Sequence, residues 1–205
     1  QPADYVGVLT ATGLGGAKVI AAATQGDRDA AMLRGTRLHL LLEHLPAYPR
    51  DDWARLARTL MAGAEGGLPD ADELDDLLAE ARDLIDAPAL DQILRPAPDT
   101  QVLAEVAVTT PLPDGRILNG IIDRLVISPK DIIAVDYKTN STVPATPDAT
   151  PDGILRQMAA YRVALRGIWP DRNLRMAVLW TQTRELMDLP DPLLDRALDS
   201  VTCAP

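Results

Sequence analysis

The stretch that decides the fold is Ile132-Ile133-Ala134-Val135-Asp136-Tyr137-Lys138-Thr139. Its first four residues are apolar on both faces of an extended chain, which is typical of a central strand buried on both sides. Asp136 and Lys138 then end the strand, and because side chains alternate along a strand, both point to the same face. An apolar strand with a charged end predicts a site at the rim of a sheet.

The turn before this strand fixes the residue that lies opposite Asp136. Residues 128–131 separate the strand from a second apolar strand over residues 117–127. A two-residue turn at that point pairs Asp123 with Asp136, with Cβ atoms about 5 Å apart. Like charges so placed destabilise a sheet unless a cation lies between them. The pairing therefore favours a divalent metal bound beside Lys138.

Other interpretations of the two aspartates stay open. Aspartate is common at strand ends, where both side chains would simply be solvated beyond the rim of the sheet. A turn of different length would shift the pairing by one residue and turn Asp123 to the opposite face. The register of these two strands decides between the interpretations.

The apolar pattern outward from these strands predicts an α/β fold. Helix-like spacing dominates before residue 96, and strands joined by turns follow it. Residues 113–115 (Pro-Asp-Gly) are a strong turn signal. The predicted strands cover residues 102–110, 117–127, 132–138, 174–180 and 186–189, and the predicted helices cover residues 29–45, 51–61, 70–84 and 151–167, with short helices before residue 95 and near the C-terminus.

The pattern divides the chain into three parts. Residues 1–28 show no clear periodicity and are predicted to be a linker or irregular segment, and their glycine cluster at residues 13–16 lacks the Lys-Ser/Thr of a phosphate-binding loop. Residues 29–95 form a helical region that carries His39. Residues 96–205 form the α/β core, and we expect it to make one compact domain with the helical region.

Composition limits the chemistry. The 205 residues carry a net charge of −10, which argues against a broad electrostatic grip on nucleic acid. Cys203 is the only cysteine, which excludes a four-cysteine iron–sulfur cluster in this chain. With only His39 and His44, any metal must be held mainly by carboxylates, which suits Mg²⁺, Mn²⁺ or Ca²⁺. Since neither a membrane-spanning run nor a signal peptide is visible, we expect a cytoplasmic protein.

Four motifs in a fixed order resemble those of RecB-type PD-(D/E)XK nucleases. They are GTRLHLLLE (35–43), GIIDRL (120–125), DYKT (136–139) and QMAAYR (157–162). Together with LEHLP (42–46), their spacing is most similar to the C-terminal nuclease domain of the AddA subunit of bacterial AddAB helicase–nucleases. The resemblance covers about residues 33–190. It implies a restriction-endonuclease-like core, in which a mixed central sheet with an antiparallel meander is flanked by helices, plus the N-terminal helical region.

The resemblance also implies a metal site. His39, Asp123 and Asp136 would bind Mg²⁺, and the backbone carbonyl of Tyr137 would complete the inner shell; Mn²⁺ or Ca²⁺ would substitute in the same site. The metal would act as a Lewis acid and lower the pKa of a bound water towards neutrality. A histidine on a leucine-rich helix is otherwise most often a packed side chain, so that interpretation of His39 stays open without the resemblance.

Further residues gain roles from the same resemblance. Lys138 would position the attacking water or stabilise the phosphorane. Gln157 and Tyr161 would shape the site and contact the DNA backbone, although their i,i+4 spacing also fits a core helix with two hydrogen-bonding members. Glu105 matches a position that is often acidic in such folds. Glu43 follows His39 by one helical turn and is either its partner or a surface acid.

The function implied is a magnesium-dependent deoxyribonuclease, acting as an exonuclease on DNA single strands from an unwound duplex during double-strand-break repair and recombination in the bacterial cytoplasm. The implied partners are an ATP-binding helicase portion of the same polypeptide and an AddB-like subunit. Because the chain begins with Gln1, we expect a fragment of a longer protein. Two alternatives stay open: an inactive nuclease-fold module for protein contact or DNA-end binding, and a standalone PD-(D/E)XK nuclease.

Overall fold

A mixed β-sheet lies at the centre of the protein. The computed structural model describes residues 8–10, 24–111, 115–140 and 142–202, without the side chains of the last two. In this part of the chain the strands are β1 (Val8–Thr10), β2 (Gln101–Pro111), β3 (Ile117–Ile127), β4 (Asp131–Lys138), β5 (Asn173–Trp180) and β6 (Glu185–Asp188). The α-helices are α1 (Gln25–His44), α2 (Trp53–Gly63), α3 (Ala71–Ile85), α4 (Asp91–Leu94), α5 (Asp152–Ile168) and α6 (Asp191–Thr202).

Strand β3 organises the sheet. Strand β2 runs antiparallel along one edge of β3, while the other edge is shared by β1 beside its first residues and β4 beside its last. Strands β5 and β6 follow β4 outward. The β1–β3 and β4–β5 pairs are parallel and the others antiparallel. The predicted α/β fold, a mixed sheet with an antiparallel meander flanked by helices, is therefore confirmed.

The predicted register between β3 and β4 is confirmed. Arg124 pairs with Val135, and Ile127 pairs with Ile132. The turn closes as expected, since the Ser128 N–H donates to the Asp131 carbonyl over 2.9 Å. The ladder stops at Arg124, one step before the two aspartates would meet. The sheet therefore parts where like charges oppose regular pairing.

Two apolar layers cover the sheet, one on each face. On one face, α5 and α6 pack against alternating residues of β4 and β5, among them Ile132, Ala134, Met176 and Val178. On the other face, the leucines of α1 to α4 pack against the residues in between, Val135, Tyr137 and Leu179. Because β4 is covered on both faces, its residues 132–135 are all apolar.

Arg124 ties the helical layer to the sheet. The residue is only 3% exposed. It donates to the Tyr137 hydroxyl on β4 over 2.6 Å, to the Leu42 carbonyl on α1 over 2.5 Å and to the Ile93 carbonyl on α4 over 3.4 Å. Arginine is almost never fully buried without partners. Here one side chain joins three separate elements.

Two predictions for the N-terminal part need correction. The irregular segment expected over residues 1–28 contains β1, a strand of three residues that is too short to show a period. Helix α1 begins at Gln25, four residues before its predicted start, because Thr24 and Asp27 form a capping box. The glycine cluster at residues 13–16, most of the turn at residues 113–115, and Cys203 lie outside the described residues.

The remaining boundaries agree with prediction to within about two residues. Gly115, which ends the predicted turn, has a φ of +85°, a conformation that glycine adopts without strain. Among the helices of the described residues, none is both long and apolar enough to cross a membrane.

Replacing Arg124 with methionine should destabilise the protein by about 3 kcal/mol, because three buried acceptors lose their donor. Tyr137→Phe, which removes one of these bonds, should cost about 1 kcal/mol. Urea unfolding gives both values. Arg172→Met is the matched control, since that guanidinium donates to the Ser128 carbonyl at a partly buried position. Equal stabilities of Arg124→Met and Arg172→Met would contradict the role of Arg124.

Candidate active site

A cleft of about 930 Å³ opens between α1 and the strands β2, β3 and β4, where the β3–β4 ladder ends. Residues of β1, α5 and these four elements line it. Every residue that the sequence analysis selected for a site lines this cleft: His39, Glu105, Asp123, Asp136, Tyr137, Lys138, Gln157 and Tyr161. The fold therefore gathers residues that lie up to about 120 positions apart in the chain.

The side chain of Asp123 replaces a backbone hydrogen-bond acceptor for β4. Its Oδ2 accepts the Tyr137 N–H over 2.5 Å, a bond that a regular ladder would direct to the β3 backbone. Its Oδ1 lies 3.7 Å from Nδ1 of His39. One carboxylate thus contacts both β4 and the helix that carries His39.

Asp136 is the buried acid of the site. The residue is 3% exposed, and its Oδ2 lies 2.5 Å from Nζ of Lys138. This contact is an ion pair whose geometry falls outside a hydrogen bond, and Oδ2 has no hydrogen-bond donor among the described residues. Burial raises the pKa of the Asp136 carboxyl; the Lys138 ammonium opposes that rise and the neighbouring Asp123 adds to it.

A chain of hydrogen bonds holds Lys138. Its Nζ donates to Oε1 of Gln157 over 3.2 Å, Nε2 of Gln157 donates to the Tyr161 hydroxyl over 3.1 Å, and that hydroxyl donates to the Ile121 carbonyl over 2.6 Å. Because Tyr161 takes the amide nitrogen, the amide oxygen of Gln157 faces the lysine. Gln157 is 4% and Tyr161 1% exposed. Both therefore shape the site from behind Lys138, and their contact with DNA stays a prediction.

His39 lies between Asp123 and the ring of Tyr137. The two rings meet edge to face, with centroids 5.4 Å apart and an interplanar angle of 87°. Burial lowers the pKa of His39, but the hydrogen bond and charge of Asp123, with the charge of Asp136, outweigh it, so the pKa is raised above its ordinary value. His39 is therefore held as a partner of the two acids and is not merely a packed side chain.

Helix α1 reaches the end of β4 because residue 35 is glycine. A Cβ added to Gly35 would lie 2.9 Å from Oγ1 of Thr139, closer than side-chain carbons approach. Glycine within a helix costs about 1 kcal/mol relative to alanine. The close approach accounts for its presence and brings His39, one turn later, to the strand ends.

Glu105 occupies a strained position opposite Asp123. The flanking pairs Ala104–Arg124 and Val106–Ile122 place the two acids across from each other. Glu105 has a φ of +49°, a left-handed conformation that costs a non-glycine residue about 1–3 kcal/mol. Desolvation raises the pKa of its carboxyl, and the charge of Asp123 adds to the rise. Three acids therefore stand in a row across β2, β3 and β4.

Acidic groups dominate the cleft. Glu43 also lines it, and its carboxylate lies 3.6 Å from Nε2 of His44 and thus pairs with that histidine. Of the described residues that line the cleft, Lys138 is the only lysine or arginine. Four carboxylates against one ammonium leave a negative field, which repels a phosphate unless a further cation is bound.

The donor set fits a hard divalent cation. Asp136 offers a buried carboxylate whose close contact is the Lys138 ammonium, and Asp123 and His39 form a second pair in the same cleft. In the part of the chain that the structure describes, no group of three or more His, Cys, Asp or Glu side chains is placed to hold a metal ion. The acids instead lie in two pairs, Asp123 with His39 and Asp136 with Lys138. Binding one ion between them requires Lys138 to turn away from Asp136.

One comparison with known proteins identifies the family. The family model described as the PD-(D/E)XK nuclease superfamily matches residues 13–194. The chain therefore belongs to the PD-(D/E)XK nuclease superfamily. Among solved structures, the chain matches the crystal structure of a protein named SSO0001, with a TM-score of 0.33 and 11% identity over 86% of this chain and 88% of that chain. No curated protein matches the chain. The assignment rests on the family match alone.

Sequence reasoning missed three contributors to the site. Arg124 lies in the GIIDRL motif, but the motif gives it no role. An arginine inside an apolar strand is nevertheless a signal of buried hydrogen bonds. Gly35 and Thr139 form a close contact that no periodicity shows. The Ile121 carbonyl anchors Tyr161, and a backbone atom leaves no trace in residue type.

Gly35→Ala should destabilise the protein by about 1 kcal/mol, although alanine is the better helix former, because its Cβ forces α1 away from Thr139. In a Thr139→Ala background the same change should stabilise by about 1 kcal/mol, since the contact is gone. A double-mutant cycle of unfolding free energies measures this coupling. Additive effects would show that the close approach is unimportant.

Glu105→Gly should stabilise the protein by about 1 kcal/mol, because glycine adopts the left-handed backbone without strain. Glu105→Ala removes the same carboxylate but keeps the strained backbone, so the difference between the two variants isolates the conformational contribution. Thermal unfolding provides the measurement. A glycine variant no more stable than the alanine variant would refute the assignment of strain.

Proposed function

We propose that this protein is a metal-dependent deoxyribonuclease of the RecB type that hydrolyses DNA phosphodiesters. The observation that carries the proposal is the cleft in which Asp123, Asp136 and His39 meet Lys138 at the parted strands. Membership of the nuclease superfamily supports it. So does the acidic field, since a phosphate can enter only when a cation accompanies it.

Asp123, Asp136, His39 and the backbone carbonyl of Tyr137 would hold the cation, with Mg²⁺ as the proposed native ion. Oxygen donors with one imidazole suit Mg²⁺ or Mn²⁺. When bound, such an ion polarises a phosphoryl oxygen and lowers the pKa of water. Glu105 adds a further carboxylate opposite Asp123, near enough for the two charges to interact.

The Lys138 ammonium is a second positive charge in the proposed reaction, beside the metal ion. The ammonium is held by the Gln157 oxygen, and its contact with Asp136 would be released when that carboxylate holds the metal ion. In this position Lys138 donates a hydrogen bond to the attacking water or to an oxygen of the phosphate, where negative charge develops in the transition state. The Gln157–Tyr161 chain fixes the direction of that bond.

The proposed context is the nuclease domain of an AddA-like helicase–nuclease in the bacterial cytoplasm. Its substrate would be single strands delivered by an ATP-driven helicase portion, with an AddB-like subunit as partner, in double-strand-break repair. The motif order supports this context. The net charge of −10 also supports it, because such a surface attracts free DNA poorly and benefits from a delivered strand.

Asp136→Asn should lower Mg²⁺-dependent cleavage of a single-stranded oligonucleotide by at least about a thousandfold, because one ligand charge and the partner of Lys138 are lost. Asp131→Asn is the matched control: the same strand and the same chemical change, at an exposed residue bonded to Asn173. It should cut at the wild-type rate. Cleavage by Asp136→Asn at the wild-type rate would refute the proposal, and DNA binding without cleavage by the wild type would favour a binding module.

A further inference from the structure

A second cavity of about 490 Å³ lies beside the cleft. It is bounded by α1, α3, the residue after β4 and the turn between β5 and β6. Ala31, Gly35 and Thr139 line both cavities, so the two open next to each other along α1. The cavities therefore adjoin at residues that include the close Gly35–Thr139 contact, which places a nucleotide in the second cavity next to a DNA strand bound in the cleft.

Two buried polar atoms in the second cavity have no hydrogen-bond partner. Thr181 is 2% exposed and lines the cavity, and its Oγ1 contacts neither donor nor acceptor among the described residues. The same is true of Oε1 of Glu80, whose other oxygen lies 2.7 Å from Nη2 of Arg34. Buried polar atoms are nearly always hydrogen-bonded in folded proteins. Both atoms are closed to solvent, so each side chain must turn towards the cavity to pair with a polar ligand there.

Two arginines stand at the opening of the cavity. Arg34 pairs with Glu80, and Nη1 of Arg184 lies 3.4 Å from Oδ2 of Asp83. The side chains of Arg34 and Arg184 are 38% and 53% exposed, so both reach solvent. A guanidinium carries five N–H donors, and one carboxylate does not use them all. Both arginines can therefore also bind a phosphate.

Arg184 reaches the opening of the second cavity from a strained backbone position. It follows β5 in a tight turn, where its N–H donates to the Thr181 carbonyl over 3.3 Å, and its φ is +56°. Glycine or asparagine fits such a position with less strain. Strained residues concentrate at functional sites. An arginine in a glycine conformation at the edge of a polar cavity indicates that its side chain is used.

We propose that the second cavity is a nucleotide subsite for the same DNA strand that is cut in the cleft, an inference that rests on the proposed function. The base of a flanking nucleotide enters towards Thr181 and Glu80, and its phosphate lies between Arg34 and Arg184. A cavity of about 490 Å³ has the size of a small-ligand site. Since the base must present its edge to protein groups, the nucleotide has to be unpaired.

The test is the binding of single-stranded oligonucleotides of increasing length to the whole chain in Ca²⁺, measured by fluorescence anisotropy. Arg184→Gly is the main variant, because glycine suits the left-handed backbone and the fold should be retained. Arg196→Ala is the control: an exposed arginine that pairs with Asp148 at 3.2 Å, on α6 at the opposite face of the sheet.

Arg184→Gly should bind long oligonucleotides about tenfold more weakly than the wild type and the shortest ones equally well. The slope of log Kd against log salt should fall by about 0.7, as for the loss of one phosphate contact on a single strand. Thr181→Val, of equal shape without the hydroxyl, should also weaken the long complexes, by about threefold. Arg196→Ala should match the wild type at every length.

An unchanged affinity and salt slope in Arg184→Gly would overturn the subsite, and so would an equal loss at all lengths, which marks a structural effect. Failure of the proposed function has a different signature. A wild-type chain that binds DNA but does not cut it in Mg²⁺ refutes the nuclease proposal, while the comparison between Arg184→Gly and Arg196→Ala still decides the subsite.

Discussion

The ladder between β3 and β4 stops where Asp123 and Asp136 would meet, and the rest of the site depends on that interruption. Backbone pairing brings side chains about 5 Å apart, a distance at which two carboxylates repel. Asp123 resolves the conflict by accepting the Tyr137 N–H with its side chain, so the strands separate without leaving that donor buried and unpaired. Across β3, the backbone of Glu105 turns into a left-handed conformation at the same level of the sheet. The cleft is therefore a consequence of charge placed inside an otherwise apolar sheet.

The position of His39 depends on packing far from the cleft. Arg124 bonds the Leu42 carbonyl on the same helix as His39 and the hydroxyl of Tyr137, whose ring meets the imidazole edge to face. A shift of α1 would disturb all of these contacts together, because α1 also lies against Thr139 through Gly35. The helical layer thus has a chemical purpose beyond covering the sheet: it brings the His39 imidazole next to Asp123 in the cleft.

The sequence predicted what depends on local patterns. The apolar run of β4 and the two-residue turn before it were sufficient to give the β3–β4 register, because side-chain alternation has a period of two and the turn allows one alignment. Strand β1 is not predicted, because three residues carry no periodicity. The apolar pattern also predicts too late a start for α1, because it takes no account of the capping box at Thr24. The i,i+4 spacing of Gln157 and Tyr161 predicts that they share a face of the helix. The direction of the Gln157 amide oxygen, which points at Lys138, follows only from the three-dimensional structure. The second cavity could not be predicted, because its walls come from α1, α3 and the β5–β6 turn, which have no common pattern.

The distribution of charge bears on the order of events at the proposed site. The cleft has four carboxylates and one lysine, whereas the neighbouring cavity has two arginines that are paired with Glu80 and Asp83. Before a divalent cation binds, the cleft repels a phosphate and the second cavity is the more favourable of the two places for DNA. A bound divalent cation would offset most of the excess negative charge of the cleft and would be the largest local positive charge beside a phosphate. In the proposed nuclease the cation would therefore favour entry of the scissile phosphate as well as its reaction.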